Sequence, residues 1–286
     1  MKKAVFLLSA LLLAPVLAHH GQDFLVTIDT GKNDPWAFRS TFGGEYTDYS
    51  DDSEIALTQS LILGLPNRLT FISIFRYADE GSGSWNSFSA TPMLQWTLPD
   101  LDLNGPLSSL KLAIAGGWEI PIKRGSGDGH DHGAVPMTDC SGLGGIPTLF
   151  QACQMANQNA AKHTHRDGGH VHDGIHRHGE SHGFLRLITE LRPSAKDRLV
   201  FNTITVFPAD DSPQWGYAAA YRHQFSEKFA LGLEAIGDWD AHGEHLIYLT
   251  ATSFQNQHVS CTFGAATGLT GSSPDFTLQT LLSWRF

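Results

Sequence analysis

The sequence predicts an all-β chain, an antiparallel transmembrane β-barrel of about twelve strands with one long external His-rich loop. Three observations point there. Phe276, Leu278, Thr280, Leu282, Trp284 and the terminal Phe286 share one face of the last strand, giving an apolar band that ends in an aromatic at the membrane boundary. Apolar residues elsewhere alternate in blocks of strand length and do not recur at helical spacing. Lys2 and Lys3 precede an apolar run from Ala4 to Leu17, and Val16-Leu17-Ala18 offers a cleavage site, so 1–18 reads as a secretory signal peptide.

Cleavage after Ala18 would start the mature chain at His19 and leave 19–286 as the barrel. The leader is shorter than the roughly 20 apolar residues that a spanning helix needs. No later stretch reaches that length, and 41% of the 286 residues are hydrophobic, which excludes a helical membrane protein. Alternation places strands near 36–46, 54–64, 69–78, 86–98, 109–122, 183–192, 198–207, 214–224, 228–238, 244–254, 258–267 and 275–286. Compact turns lie at Leu65-Pro66-Asn67-Arg68, Arg192-Pro193-Ser194-Ala195-Lys196-Asp197 and Phe225-Ser226-Glu227-Lys228. Barrels of this class keep short turns and both termini on the periplasmic side. The connections 47–53, 79–85, 123–182, 208–213, 239–243 and 268–274 then face outward. Too few residues lie between Ala18 and the first strand for a plug domain.

The same two-residue period divides the wall. Leu185, Leu187, Thr189 and Leu191 share one face, and Arg186, Glu190 and Arg192 the other. Lys111 and Glu119 stand opposite Leu110, Leu112, Ile114 and Trp118; Glu234 and Asp238 stand opposite Leu231 and Leu233. A charge facing lipid near the midplane costs roughly 2–4 kcal/mol, so the charged faces should form a polar lumen of both signs. Arg39, Arg76, Arg186 and Arg222, set against Glu45, Glu190 and Glu234, either line a narrow aqueous path or pair and close it, pairing being the simpler outcome for buried charge. A net charge of −10, more negative once the leader's lysines are gone, excludes a nucleic-acid partner.

The segments Leu63-Gly64-Leu65-Pro66-Asn67-Arg68-Leu69, Phe225 to Glu234 and Gly268 to Phe276 resemble the outer-membrane transporter family named for a phenol meta-cleavage degradation pathway. The likeness covers most of the mature chain except 123–182. It implies a monomeric barrel with a transport role, and it carries over no functional residue; outer-membrane lipid and the barrel-insertion machinery are the partners expected from the closing strand, whose terminal aromatic resembles the insertion signal of such barrels.

The omitted segment holds nine of the fifteen histidines: His130, His132, His163, His165, His170, His172, His176, His178 and His182. Eight form His-x-His pairs, a spacing that lets two imidazoles of an extended stretch meet one ion. Asp128, Asp131, Asp167, Asp173 and Glu180 add oxygen donors. Such ligands suit divalent Zn, Ni, Co or Cu, with no organic cofactor implied. The competing reading is a Gly-rich, solvated loop in which histidine is only polar. Metal held by neutral imidazoles should be released as pH falls through about 6.5 to 5.

Cys140 and Cys153 could close a disulfide within this loop in an oxidising compartment, and Cys261 reads as a wall residue. His19 and His20 either chelate copper with a new α-amino group or form a frayed N-terminus. His242 and His245, with Asp238 and Asp240, could extend a surface metal site. No Gly-x-Ser-x-Gly or His-Glu-x-x-His arrangement occurs, so no catalytic residue is assigned. The sequence reading is an outer-membrane barrel for capture or passage of divalent transition metals, the alternatives being a channel for small organic solutes and a closed structural or surface-binding barrel.

Overall fold

Alternating strands of this length can satisfy their backbone in a membrane only by closing on themselves. The computed structural model describes residues 24–31, 34–49, 53–80, 85, 87–102, 109–123, 181–208, 212–240, 242–256 and 258–286. The strands are β1 (Phe38–Asp48), β2 (Ser53–Leu65), β3 (Leu69–Glu80), β4 (Ser87–Thr97), β5 (Leu101–Asp102), β6 (Ser109–Lys123) and β7 (His182–Arg192). They continue as β8 (Asp197–Pro208), β9 (Gln214–Ser226), β10 (Phe229–Asp238), β11 (His245–Phe254), β12 (Val259–Gly268) and β13 (Phe276–Arg285). Each pairs antiparallel with its neighbours, β1 joins β13, and β4 joins β6 past the two-residue β5, so twelve strands close the barrel.

Observed strand ends fall within about two residues of the expected ones. The unexpected element is β5, too short to show a period. It forms because the β4–β6 connection folds back on β6, with Leu98 N–H donating to Leu112 O (2.8 Å) and Leu101 opposite Leu110.

The terminal strand is tied at both ends of the seam. Phe286 N–H donates to Phe38 O (2.9 Å), Asp275 N–H donates to Asp48 O (2.9 Å), and the Phe38 and Phe286 rings lie 5.7 Å apart. The compact turns 66–68, 193–196 and 227–228 share a rim with Phe286 and the start of β1, as orientation by loop length requires. At the first of these turns Asn67 and Arg68 are both left-handed (φ 61° and 64°), the conformation that lets a tight hairpin follow the strand twist.

Lipid-facing and lumen-facing residues separate as expected. Leu185, Leu187, Leu233 and Leu249 are exposed on the outer wall, while Arg186, Glu190 and Glu234 are buried inside. Exposed Trp118, Trp215 and Trp239 mark the outer rim, and Trp36, Trp96 and Trp284 the periplasmic one, giving two aromatic girdles about an aliphatic band. The lumen is not uniformly polar. Ile62, Ile72, Met93, Ile188 and Val200 form one buried apolar cluster, and Ile204, Val206, Ile236 and Leu246 belong to another. They face inward because other chain fills the lumen and covers them.

Candidate functional site

The covering chain is the barrel's own N-terminal segment. Residues 24–31 contact inward residues of β10, β8, β7 and β4 in turn before the chain reaches Trp36, where its N–H donates to Gly64 O (2.7 Å) at the periplasmic rim. An extended segment inside a barrel has no strand beside it, so side chains must satisfy its backbone. Glu234 does this at one end: its carboxylate accepts from the N–H groups of Leu25 (2.9 Å), Val26 (3.0 Å) and Thr27 (3.2 Å). Asn202 acts as a strand edge in miniature, accepting from Ile28 N–H (3.0 Å) and donating to Ile28 O (2.8 Å). Gln95 Nε2 donates to Asp29 O (3.2 Å), and Thr97 Oγ1 donates to Thr30 O (3.3 Å).

Charge fixes the same segment near the periplasmic end. Arg198 donates from Nε and Nη2 to the two Glu190 oxygens (2.8 and 2.9 Å), and its Nη2 lies 2.9 Å from Asp29 Oδ2. Thr30 Oγ1 donates to Glu190 (2.6 Å), as does Arg192 Nε (3.0 Å). The Phe24 ring sits under Arg198 and Arg222, with guanidinium carbons 5.2 and 5.3 Å from its centroid. Phe24 and Ile28 join the first apolar cluster, and Leu25 and Val26 pack on the second. Polar anchors and apolar burial therefore act together on eight residues.

The expected charge partners are redistributed. Arg76 pairs with Glu54, and Glu190 with Arg198 and Arg192. Glu234 turns to backbone N–H groups. Sequence reasoning missed Arg198, Asn202, Gln95 and Asp29. The first two were legible as residues flanking lipid-facing Leu199 and Phe201 on the opposite, inward face of β8. The segment itself had one signal, the apolar run Phe24-Leu25-Val26 ahead of the first strand.

Of the proposed metal ligands, His130, His132, His163, His165, His170, His172, His176 and His178 lie outside the described residues, as do Cys140, Cys153, His19, His20 and the leader. His182 is the first residue of β7, buried in the wall with Nε2 3.8 Å from Glu119 Oε2. Among the described residues no group of three or more His, Cys, Asp or Glu is placed to hold a metal. His245 is engaged on both sides: Nδ1 is 3.1 Å from Tyr217 Oη, and Nε2 is 3.0 Å from Asp240 O. Cys261 is a half-buried wall thiol in β12. At the periplasmic rim Asp197 accepts from Ser194, from Tyr221 (2.8 Å) and from His223 Nδ1 (2.7 Å). In this grouping the Ser194 hydroxyl points at the carboxylate and not at the His223 imidazole, so the serine–histidine–carboxylate order of an activated nucleophile is not formed.

The KdgM porin matches this chain with a TM-score of 0.53 at 7% identity, over 87% of this chain and 99% of that one, and so does the KdgM porin in complex with disordered oligogalacturonate. The chain has the fold of an outer-membrane β-barrel. The COG4313 outer membrane channel from Pseudomonas putida F1 matches with a TM-score of 0.48 at 12% identity, over 88% and 96% of the two chains. No protein-family model and no curated protein matches the barrel by sequence.

Proposed function

We propose that this barrel is an outer-membrane channel for small solutes, its bore narrowed by its own N-terminal segment. The observation that carries the reading is how the segment is held. It lies inside a wall that keeps Glu, Arg, Asn and Gln directed inward, and it is attached through side chains, not through strand pairing. Such contacts can be exchanged singly, whereas a strand ladder cannot. The porin name of a neighbour that matches over nearly its whole length supports the same reading, as does the resemblance to the phenol meta-cleavage transporter family. Planar-bilayer recording of the full chain should give discrete conductance steps, and a variant lacking 24–31 should give larger ones. A variant that folds yet conducts no better than bare lipid would overturn the channel reading.

Metal capture is a second reading, supported by the His-x-His spacing between His130 and His178. Calorimetric titration with zinc, nickel, cobalt and copper should show acid-reversible binding by the full chain that is absent after deletion of 124–180. Equal binding by both proteins would remove the tract from the function.

A further inference from the structure

We propose that Arg186 is an anion-binding group of the outer lumen and that it takes a small monocarboxylate with an apolar body; the inference rests on the channel reading for the solute's access. Arg186 faces inward from β7 and is 6% exposed. Its Nε and Nη1 are buried and have no hydrogen-bond partner. Its guanidinium carbon lies 5.8 Å over the Phe184 ring. The residues directly across on β6 and β8 are Ala115 and Ile204, and the next inward residue on β7 is Ile188. None of these three side chains offers an acceptor.

A buried cation in such surroundings is costly until an anion meets it, and the donors are already oriented inward. Arg198, nearer the periplasmic end, has that anion from the protein itself, in Glu190 and Asp29. Arg186 lies two inward positions from Glu190 along β7, toward the outer rim.

The surroundings choose among anions. An inorganic ion such as phosphate needs donors on several sides, and here one guanidinium stands among hydrocarbon. A carboxylate accepts from that single planar group, and the rest of the solute can cover apolar wall. Phe184 supplies a ring for this purpose. It packs on both apolar clusters, and Gly117 opposite it leaves the space, since a Cβ there would come within 2.8 Å of Phe184 Cζ. Ile204 and Val206 continue the apolar surface along β8.

The test is calorimetric titration of the folded full chain in detergent with sodium benzoate, benzyl alcohol and sodium phosphate, on the native protein, Arg186→Gln and Arg186→Lys. Benzoate should bind the native protein, weaken by at least about tenfold in Arg186→Gln, and recover in part in Arg186→Lys. Benzyl alcohol should bind no better than benzoate binds Arg186→Gln. Unchanged benzoate affinity in Arg186→Gln, or none in the native protein, overturns the proposal. Phosphate binding as tightly as benzoate overturns the apolar-body part of it. Heat-modifiable gel mobility reports folding, and Arg186→Lys carries the comparison if Arg186→Gln does not fold. Planar-bilayer conductance separates the two readings: conductance without benzoate binding sinks this site alone, and benzoate binding without conductance sinks the channel.

Discussion

Glu190 and Arg186 lie on the same face of β7, four residues apart, and meet opposite fates. Glu190 accepts from Arg198 twice, from Arg192 and from Thr30. Arg186 has buried nitrogens with no hydrogen-bond partner and an aromatic ring beneath its guanidinium. Both are inward charges by the same two-residue period. The difference arises because the chain's own N-terminal segment brings Asp29 and Thr30 to the wall beside Glu190 and Arg198, while the buried Arg186 nitrogens meet no acceptor. A strand period fixes the direction of a side chain. It leaves open whether a partner arrives from elsewhere in the sequence.

The largest expected break in this contrast is Glu190→Ala. It strips Arg198 and Arg192 of a shared carboxylate and Thr30 of its acceptor. Removing one member of a buried ionic group costs about 3–5 kcal/mol. The variant's urea midpoint in lipid vesicles should drop accordingly, and a midpoint equal to the native one would mean that the network contributes nothing to the barrel. Glu234→Leu comes next. Three backbone N–H groups lose their acceptor, at about 1–3 kcal/mol for each one left buried and unmet. The segment should therefore leave the lumen and not remain unsatisfied. Faster proteolysis within 24–31, together with larger conductance and an intact barrel on gels, would show that. A segment still protected would mean that apolar packing of Phe24 and Ile28 holds it alone.

Asn202→Leu sharpens the comparison at lower cost. It removes one donor and one acceptor from Ile28, about 1 kcal/mol each, while keeping the volume. The expectation is a partly populated open state, visible as flickering between two conductance levels. A single native level would assign the hold on the segment to Glu234 and Glu190.

What the sequence could disclose follows the same division. Strand positions, the inward face of Glu119, Arg186 and Glu234, and the orientation of the barrel are properties of period and loop length, and both are local. Pairings such as Arg198 with Asp29, or Asn202 with Ile28, join residues more than 160 positions apart through a segment with no strand period of its own. The run Phe24-Leu25-Val26 carries no role in the sequence reading, which finds too few residues between Ala18 and the first strand for a plug domain. They suffice inside a barrel, where the wall supplies the core that the segment lacks.

The smallest effect separates steric fit from hydrogen bonding. Gly264 of β12 faces inward, and a Cβ there would run into Leu25 Cδ1. The obstructing atom is the far end of a flexible side chain, so Gly264→Ala should be met by a rotamer change at Leu25 costing under about 1.5 kcal/mol. Conductance should hardly move. Gly264→Phe leaves no such escape while every anchor on Glu234 and Asn202 stays intact, so it should raise conductance toward that of the variant lacking 24–31. If Gly264→Phe conducts like the native protein, the segment is not what narrows the bore, and the contrast between the two halves of β7 would have to come from the wall alone.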